Sequence, residues 1–306
     1  MTAFIARRLV LTLPVLLGVA TLVFLLIHLI PGDPVVSMLG EGATQEEVDL
    51  LRSRLGFDRP LVEQYVRYLG GLARGDLGTS LRYGTSVAGE IGARFVNTVQ
   101  LALVAMIVSV VLAIPLGVIG AVFRGRLVDH VATTLSLVGV SVPNFWLGPL
   151  LALAFAVELG WLPVSGKGGL GNLVLPAATL GASLAAMVAR ITRTSVAEEL
   201  REAYVVAARA RGVSRSAAVV GHALRNSLIP IVTVLGLQVG AVLTGSIVTE
   251  TIFAWPGVGR LLVQAIGFRD YTLVQGCVLF IAVAYVTVNL ATDVLYGVLD
   301  PRVRLS

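Results

Sequence analysis

Charge is scarce in this chain. Only 13% of its 306 residues are Asp, Glu, Lys or Arg, about half of what a soluble domain needs to keep its surface wetted. That excludes a soluble enzyme or binding module. One cysteine and three histidines exclude a disulfide framework and a thiolate metal cage. Cys277 lies in an apolar run, where a small buried hydrophobe is its expected role. No phosphate-cradling loop is present either. Gly166-Lys167-Gly168 has no glycine five positions before Gly166 and no Ser or Thr after Lys167, so the chain carries no nucleotide site of that type.

What the chain has instead is apolar length. Hydrophobic residues make up 56% of it, and a bilayer core about 30 Å thick needs about 20 of them per helix. Six windows meet this within a few residues: Leu9 to Ile30, Thr98 to Phe123, Val131 to Val157, Leu173 to Ile191, Leu228 to Thr249 and Gly276 to Leu299. The expected class is an all-α polytopic membrane protein with six transmembrane helices. The first window follows Arg7 and Arg8, as a signal peptide would, but its apolar run is too long and lacks a small-x-small cleavage site. It reads as a retained helix.

The formal net charge of +5 suits membrane orientation better than nucleic acid, because the basic residues fall beside the spans. The termini, the loop near Arg124 and the segment 190–227 carry 13 basic and 5 acidic residues, the opposite side 10 and 12. The positive-inside rule then places both termini in the cytoplasm. His28, His130 and His222 fall on or near different membrane faces, so neither a metal cluster nor a Ser/His/Asp triad is expected. Prolines 14, 115, 143, 149, 176 and 230 lie inside the windows, where neighbouring helices re-satisfy the freed backbone groups. Gly236 and Gly240 offer a close helix approach.

The outer segment 31–97 is long and polar. Thr44 with Glu47 forms a capping box, Val48, Leu51 and Leu55 share a face, and Gly56 ends that helix. A second helix, Leu61 to Leu72, groups Val62, Tyr65 and Leu69, and the turn-rich Arg74-Gly75-Asp76-Leu77-Gly78 follows.

The longest polar stretch on the inner side runs from Glu202 to Pro230. The expected geometry is two short helices meeting at a glycine turn. The first starts at Glu198, with Glu198, Glu199 and Glu202 at the positive end of its dipole. Ala207, Ala208 and Ala210 leave it a bare face flanked by Arg209 and Arg211, and Gly212 ends it. Ser214 caps the second, Arg215 to Leu224. A flat alanine face between arginines can lie in a groove of a partner protein; the alternative is an amphipathic loop resting on anionic headgroups.

Among the spans, Asp293 is the costliest residue to desolvate, so it marks either a transport path or an interhelical partner. Asn289 precedes it by one turn on the same face, and Gln238 and Gln100 are further polar candidates for lining a path. A single acid is too few for a proton relay, and no inverted repeat is evident, which argues against a stand-alone secondary transporter. No nucleophile and base occur at matching depth for an intramembrane hydrolase.

Val206-Ala207-Ala208-Arg209-Ala210-Arg211-Gly212 resembles the EAA loop of ABC importer permeases, with Val206 where many members have Glu. Many importers also have a proline thirteen residues after the glycine; here that position is Arg225, and the proline comes at Pro230. Further stretches are similar to B-type permeases of dipeptide and oligopeptide importers. They are His28-Leu29-Ile30-Pro31-Gly32-Asp33-Pro34, Gly75-Asp76-Leu77-Gly78, Val142-Pro143-Asn144-Phe145, Phe253-Ala254-Trp255-Pro256-Gly257-Val258-Gly259 and Leu299-Asp300-Pro301-Arg302. In order, they extend over nearly the whole chain.

The resemblance implies a type I importer permease in a bacterial or archaeal cytoplasmic (inner) membrane. Residues 1–30 would form the tail and first helix, 31–97 an extracytoplasmic helical segment and 98–306 the permease core, with a coupling loop at about 194–227. Implied partners are a C-type permease in a heterodimer, one or two ABC ATPase subunits holding ATP and Mg, an extracytoplasmic substrate-binding protein and membrane lipid, with no nucleic acid. This chain would bind no cofactor. Val206, Ala207, Ala208, Arg209, Arg211, Gly212 and Arg225 would meet the ATPase. Relatives of this kind take peptides, glutathione, nickel chelates or other small solutes.

Overall fold

A computed structural model of the chain describes residues 2–29, 34–40 and 42–299. The motif residues Ile30, Pro31, Gly32, Asp33, Asp300, Pro301 and Arg302 lie outside the described residues. Helix dominates; β-structure among the described residues is one isolated bridge, Thr79 to Ser86. The chain divides into two compact units, Met1–Val96 with Gly257–Leu290 and Asn97–Pro256 with Ala291–Ser306.

The first unit holds α1 (Thr2–Leu29), α2 (Pro34–Leu39), α3 (Gln45–Leu55) and α4 (Leu61–Ala73). It also takes the opening turns of α5 (Val87–Val122), all of α12 (Val258–Gly267) and most of α13 (Tyr271–Leu299). The expected cap of α3 is present: the Thr44 hydroxyl accepts from Glu47 N and the Glu47 carboxylate accepts from Thr44 N at 2.8 Å. The Thr44 backbone N–H, and its hydroxyl, which donates to Glu47 Oε2 at 2.9 Å, hold the Glu47 carboxyl below its ordinary value. Gly56 closes the helix at φ 73°, a left-handed conformation that glycine enters freely. Helix α4 differs from expectation in its packed face. Val62 is 74% exposed, whereas Tyr65 meets Thr21 of α1 at 2.6 Å and Gln64 meets His28 at 3.1 Å. The inward stripe keeps Tyr65 and Leu69 of the expected face, half-buried, and takes Gln64 and Tyr68 in place of Val62.

The Gly75–Gly78 turn has a physical reason. Asp76 Oδ1 accepts from Gly78 N at 2.8 Å, Gly78 sits at φ +82°, and a Cβ there would lie 2.8 Å from Thr272 Cγ2. Beside it, Asp270 is 1% exposed and accepts from Ser80 Oγ at 2.5 Å, Arg82 N at 3.1 Å and Leu273 N at 3.1 Å, capping α13. The unit's core joins Val87 and Ile91 of α5 to Leu261 and Ala265 of α12 and Leu273 and Cys277 of α13.

The second unit is built around α8 (Gly171–Glu199), whose apolar window is 67% buried. The remaining helices are α6 (Leu127–Ser141), α7 (Asn144–Ala152) with a wide-turn extension Leu153–Glu158, α9 (Ala203–Ala210), α10 (Arg215–Ala217) and α11 (Arg225–Ile252). Backbones approach closely at small residues, as membrane helices require. A Cβ on Gly181 would fall 2.8 Å from Ala105 O, and one on Gly117 2.7 Å from Ala189 O, so α5 lies tightly on α8 at two levels. Thr292 Oγ1 of α13 donates to Gly236 O of α11 at 3.2 Å, consistent with the close approach expected at Gly236.

Four helices among the described residues are long and apolar enough to cross a membrane, and up to five if the bent pair 127–139 and 144–158 is one span. The third expected window is thus broken, bending by 103°. Pro143 explains the place. A residue before proline is driven out of the helical region, and Val142 is extended at φ −84°, ψ 115°. The first window falls on α1, whose apolar stretch Val10–Leu26 is at the short limit for a span.

Candidate functional site

The polar stretch 202–230 folds differently from the expected pair of helices. Helix α8 continues to Glu199, so Glu198 and Glu199 occupy its last turn and not the first turn of the loop helix. The chain breaks at 200–202, and Glu202, extended at φ −64°, ψ 143°, stands at the N-cap of α9. Gly212 then turns the chain at φ +92°, and Ser214 Oγ accepts from Ala217 N at 3.3 Å. The second helix is no separate element. Arg215–Ala217 runs through the wide-turn segment Ala218–Leu224 directly into α11.

Helical periodicity decides which side of α9 faces out. Val205 and Ala208, three apart, share the inward face at 0% and 3% exposure. Ala208 therefore anchors the helix and cannot be part of an outward alanine face; this corrects the expected surface. Val206, at 56% exposed, and Ala207, Arg209, Ala210, Arg211 and Gly212 form the outward side. Arg225 is exposed as well. None of Arg209, Arg211 and Arg225 makes an ion pair with a described residue.

Three attachments hold this surface. Tyr204 Oη donates to the Glu199 carboxylate and accepts from Asn226 Nδ2 at 2.8 Å, bridging the end of α8 to the start of α11. Partial burial and the Glu199 carboxylate push the Tyr204 phenol up. Arg215 Nη2 donates to Val122 O at 3.0 Å. Beneath them Ala121, Val196, Ala197 and Ala223 pack together with Leu200 and Leu224 at their edge.

One charge pair near this region carries no obvious sequence signal. Asp129, 2% exposed, accepts from Arg193 Nε at 2.5 Å, from Arg193 Nη2 at 2.7 Å and from Gly125 N at 2.8 Å. A bidentate guanidinium with a third donor is the arrangement that lets a carboxylate be buried. Sixty-four residues separate the two, so only the tertiary fold joins them. Similarly hidden is Glu250, 0% exposed, which accepts from Thr98 Oγ1 at 2.7 Å. Trp255 Nε1 donates to Asn97 O at 2.9 Å and Asn97 Nδ2 to Pro256 O at 2.8 Å, which accounts for the Trp255-Pro256 motif. Lys167, of the rejected phosphate-loop stretch, donates to Asn97 Oδ1 at 2.7 Å.

The polar span residues are scattered by comparison. Gln100 is exposed on α5, Gln238 half-buried on α11, and Asn289 and Asp293 half-buried on α13. Asp293 is engaged within the protein. The described residues contain no group of three His, Cys, Asp or Glu able to hold a metal.

Comparison with known proteins places these features. The family described as "Binding-protein-dependent transport system inner membrane component" matches residues 113–305, and its N-terminal companion matches residues 1–112. The di/tripeptide transport system permease protein DppB of Pseudomonas aeruginosa is 44% identical over 333 aligned positions, 99% of each chain. The glutathione transport system permease protein GsiC of Escherichia coli K12 is 42% identical over 304, again 99% of each. Among solved structures, an inward-facing methionine ABC transporter MetNI is similar with a TM-score of 0.58 at 18% identity, over 69% of this chain and 96% of that one. An amino acid ABC transporter matches with a TM-score of 0.54 at 16% identity, over 68% and 93%. Such distant likenesses carry the fold alone. With both family matches covering the chain end to end, this protein belongs to the inner membrane permease components of binding-protein-dependent ABC importers.

Proposed function

We propose that the chain is the B-type half of an ATP-driven peptide importer, taking di- and oligopeptides, and that it couples to its ATPases through the outward side of α9. The observation that carries the coupling assignment is that side itself: Val206, Ala207, Arg209 and Arg211 exposed, Ala208 buried beneath, and Gly212 left-handed at the end. The peptide cargo is supported by the full-length di/tripeptide relative; the glutathione relatives support a second reading, in which the cargo is glutathione, itself a tripeptide. A nickel chelate or other small solute on the same architecture is a further alternative.

In this reading α1 supplies a sixth span and both termini are cytoplasmic. The tail and first helix (1–30), the extracytoplasmic segment (31–97) and the permease core (98–306) divide the work. A C-type permease completes the path. One or two kinds of ATPase subunit hold ATP and Mg and hydrolyse it, and an external binding protein delivers cargo. The exposed loop gives the ATPases a handle, with Arg209, Arg211 and Arg225 offering guanidinium to partner carboxylates. ATPase closure biases a two-state path only through contacts that differ between its states, and a docked α9 provides them. Asp293, Asn289, Gln238 and Gln100 are assigned to the path or its interhelical support.

The test is coupling in the assembled transporter. Val206→Asp puts a desolvated charge into the docking face, and Gly212→Asp adds a side chain to a left-handed residue at about 1–2 kcal/mol. Both are expected to lower binding-protein-stimulated import by about tenfold, with Val206→Asp leaving the chain's own folding intact because position 206 faces out. Unchanged import and unchanged ATPase stimulation in both variants would remove α9 as the coupling element.

A further inference from the structure

A cavity of about 320 Å3 opens in the second unit between α5, α6 and α8. Its wall mixes apolar residues, Leu116, Leu137 and Ala186 among them, with Thr133, Ser136 and Ser141 from α6 and Arg190 and Thr194 from α8. Two arginines border it, but they are in different states. Arg193 is committed to Asp129 through two hydrogen bonds. Arg190, one turn earlier, donates through Nη2 to Met187 Sδ at 3.1 Å, and a thioether is a weak acceptor. No described carboxylate pairs with it. The cavity is thus bordered by one neutralised guanidinium and one, exposed, that has no carboxylate partner among the described residues.

The hydroxyls complement this. Ser136 Oγ donates to Ala132 O at 2.9 Å, Thr194 Oγ1 to Arg190 O at 3.1 Å and Thr133 Oγ1 to Asp129 Oδ1 at 3.4 Å. With their hydrogens spent, these oxygens are left to accept. A ligand that fits both halves carries an oxyanion for Arg190 and N–H groups for the hydroxyl oxygens. A peptide C-terminus, a carboxylate next to an amide N–H with a side chain for the apolar part of the wall, has that chemistry. Helix α8 is also the most buried of the four unbroken spans, and the cavity is bounded by three helices.

We propose that this cavity is a cargo subsite in which Arg190 binds the terminal carboxylate of the transported solute and the α6 hydroxyls accept from its amide N–H groups. The proposal rests on the peptide-importer reading above. An arginine–carboxylate pair is bidentate and charge-assisted, so discrimination between a free acid and its amide is the property to read.

The experiment uses the complete transporter with its binding protein in proteoliposomes, and compares import of a dipeptide with that of its C-terminal amide for the wild type, Arg190→Lys and Arg190→Gln. Because the binding protein is the same throughout, a change in the acid-to-amide ratio belongs to the permease. The ratio is expected to fall by about tenfold in Arg190→Gln and by less in Arg190→Lys, which keeps the charge and loses the fork. As a second readout without binding protein, millimolar free-acid dipeptide is expected to raise the Tm of the solubilised wild-type transporter and not that of Arg190→Gln. An unchanged ratio, or equal Tm shifts in both proteins, overturns the subsite. So does a defect in Arg190→Gln that depends on phosphatidylglycerol in the liposomes and leaves the ratio alone, which would mark a headgroup site. If the wild type imports neither dipeptide nor amide, the peptide reading fails and takes the subsite with it, a result distinct from an unchanged ratio.

Discussion

Asp129 and Arg193 show how much a single residue depends on a partner far away in sequence. Asp129 is 2% exposed and Arg193 is 30% exposed at its side chain, so removing the guanidinium strands a buried carboxylate. Arg193→Gln is expected to cost about 3 kcal/mol, the low end for a broken buried pair because Arg193 is partly wetted. The reading is a lowered Tm of the purified protein in detergent, with Asp129→Asn on the same background recovering part of the loss; equal Tm for the single variant and wild type would rule out the pair as a structural clamp. At this scale the sequence was legible where chemistry is local. Thr44 with Glu47, the left-handed Gly56 and Gly212, and the Ser214 cap need neighbours only a few residues away, and all four are present. The inward side of Ala208 was not legible, because four alanines in the eight residues of α9 give little hydrophobic contrast to set the phase of a helix.

Elements tell a similar story at longer range. Composition marks which stretches are apolar enough to be helices, but not where one of them breaks: Pro143 stands at the break, whereas Pro14, Pro115, Pro149, Pro176 and Pro230 lie inside helices. How the helices meet is decided by close contacts that no periodicity shows. Gly181 is the clearest case, since a Cβ there would lie 2.8 Å from Ala105 O and from two atoms of Val108. Gly181→Leu is expected to destabilise by about 1–3 kcal/mol through overpacking, measured as a fall in Tm, whereas Gly221→Leu, which meets nothing within 4 Å, is expected to leave it nearly unchanged. If the two variants behave alike, the tight crossing of α5 and α8 is wrong. The loop helices were misdivided for a related reason. Acidic residues at 198, 199 and 202 suggest a helix start, but burial of Val196 and Ala197 in the cluster with Ala121 and Ala223 carries α8 on to Glu199. Tertiary packing outweighed a preference of a few tenths of a kcal/mol for charge at a helix terminus.

For the molecule as a whole, charge asymmetry alone proposes the orientation, and a labelling experiment can read it. On a Cys277→Ala background, justified because Cys277 is fully buried, a membrane-impermeant maleimide added to intact cells is expected to label Asp58→Cys and not Ala207→Cys. After permeabilisation of cells that make the chain without its ATPase partner, Ala207→Cys becomes labelled and Ala208→Cys stays protected. Labelling of Ala207→Cys in intact cells would invert the proposed topology. What the sequence by itself determined is the solvent each stretch prefers: apolar runs for the bilayer, charged stretches for water, turn residues where the chain must reverse. Those are properties of short windows, because hydrophobic transfer and backbone restriction act residue by residue. The tertiary structure alone decided which charges are neutralised, which glycines are contacts, and which face of α9 is free. Each of these depends on distance between residues remote in sequence, such as the 64 positions from Asp129 to Arg193, and distance is what folding sets.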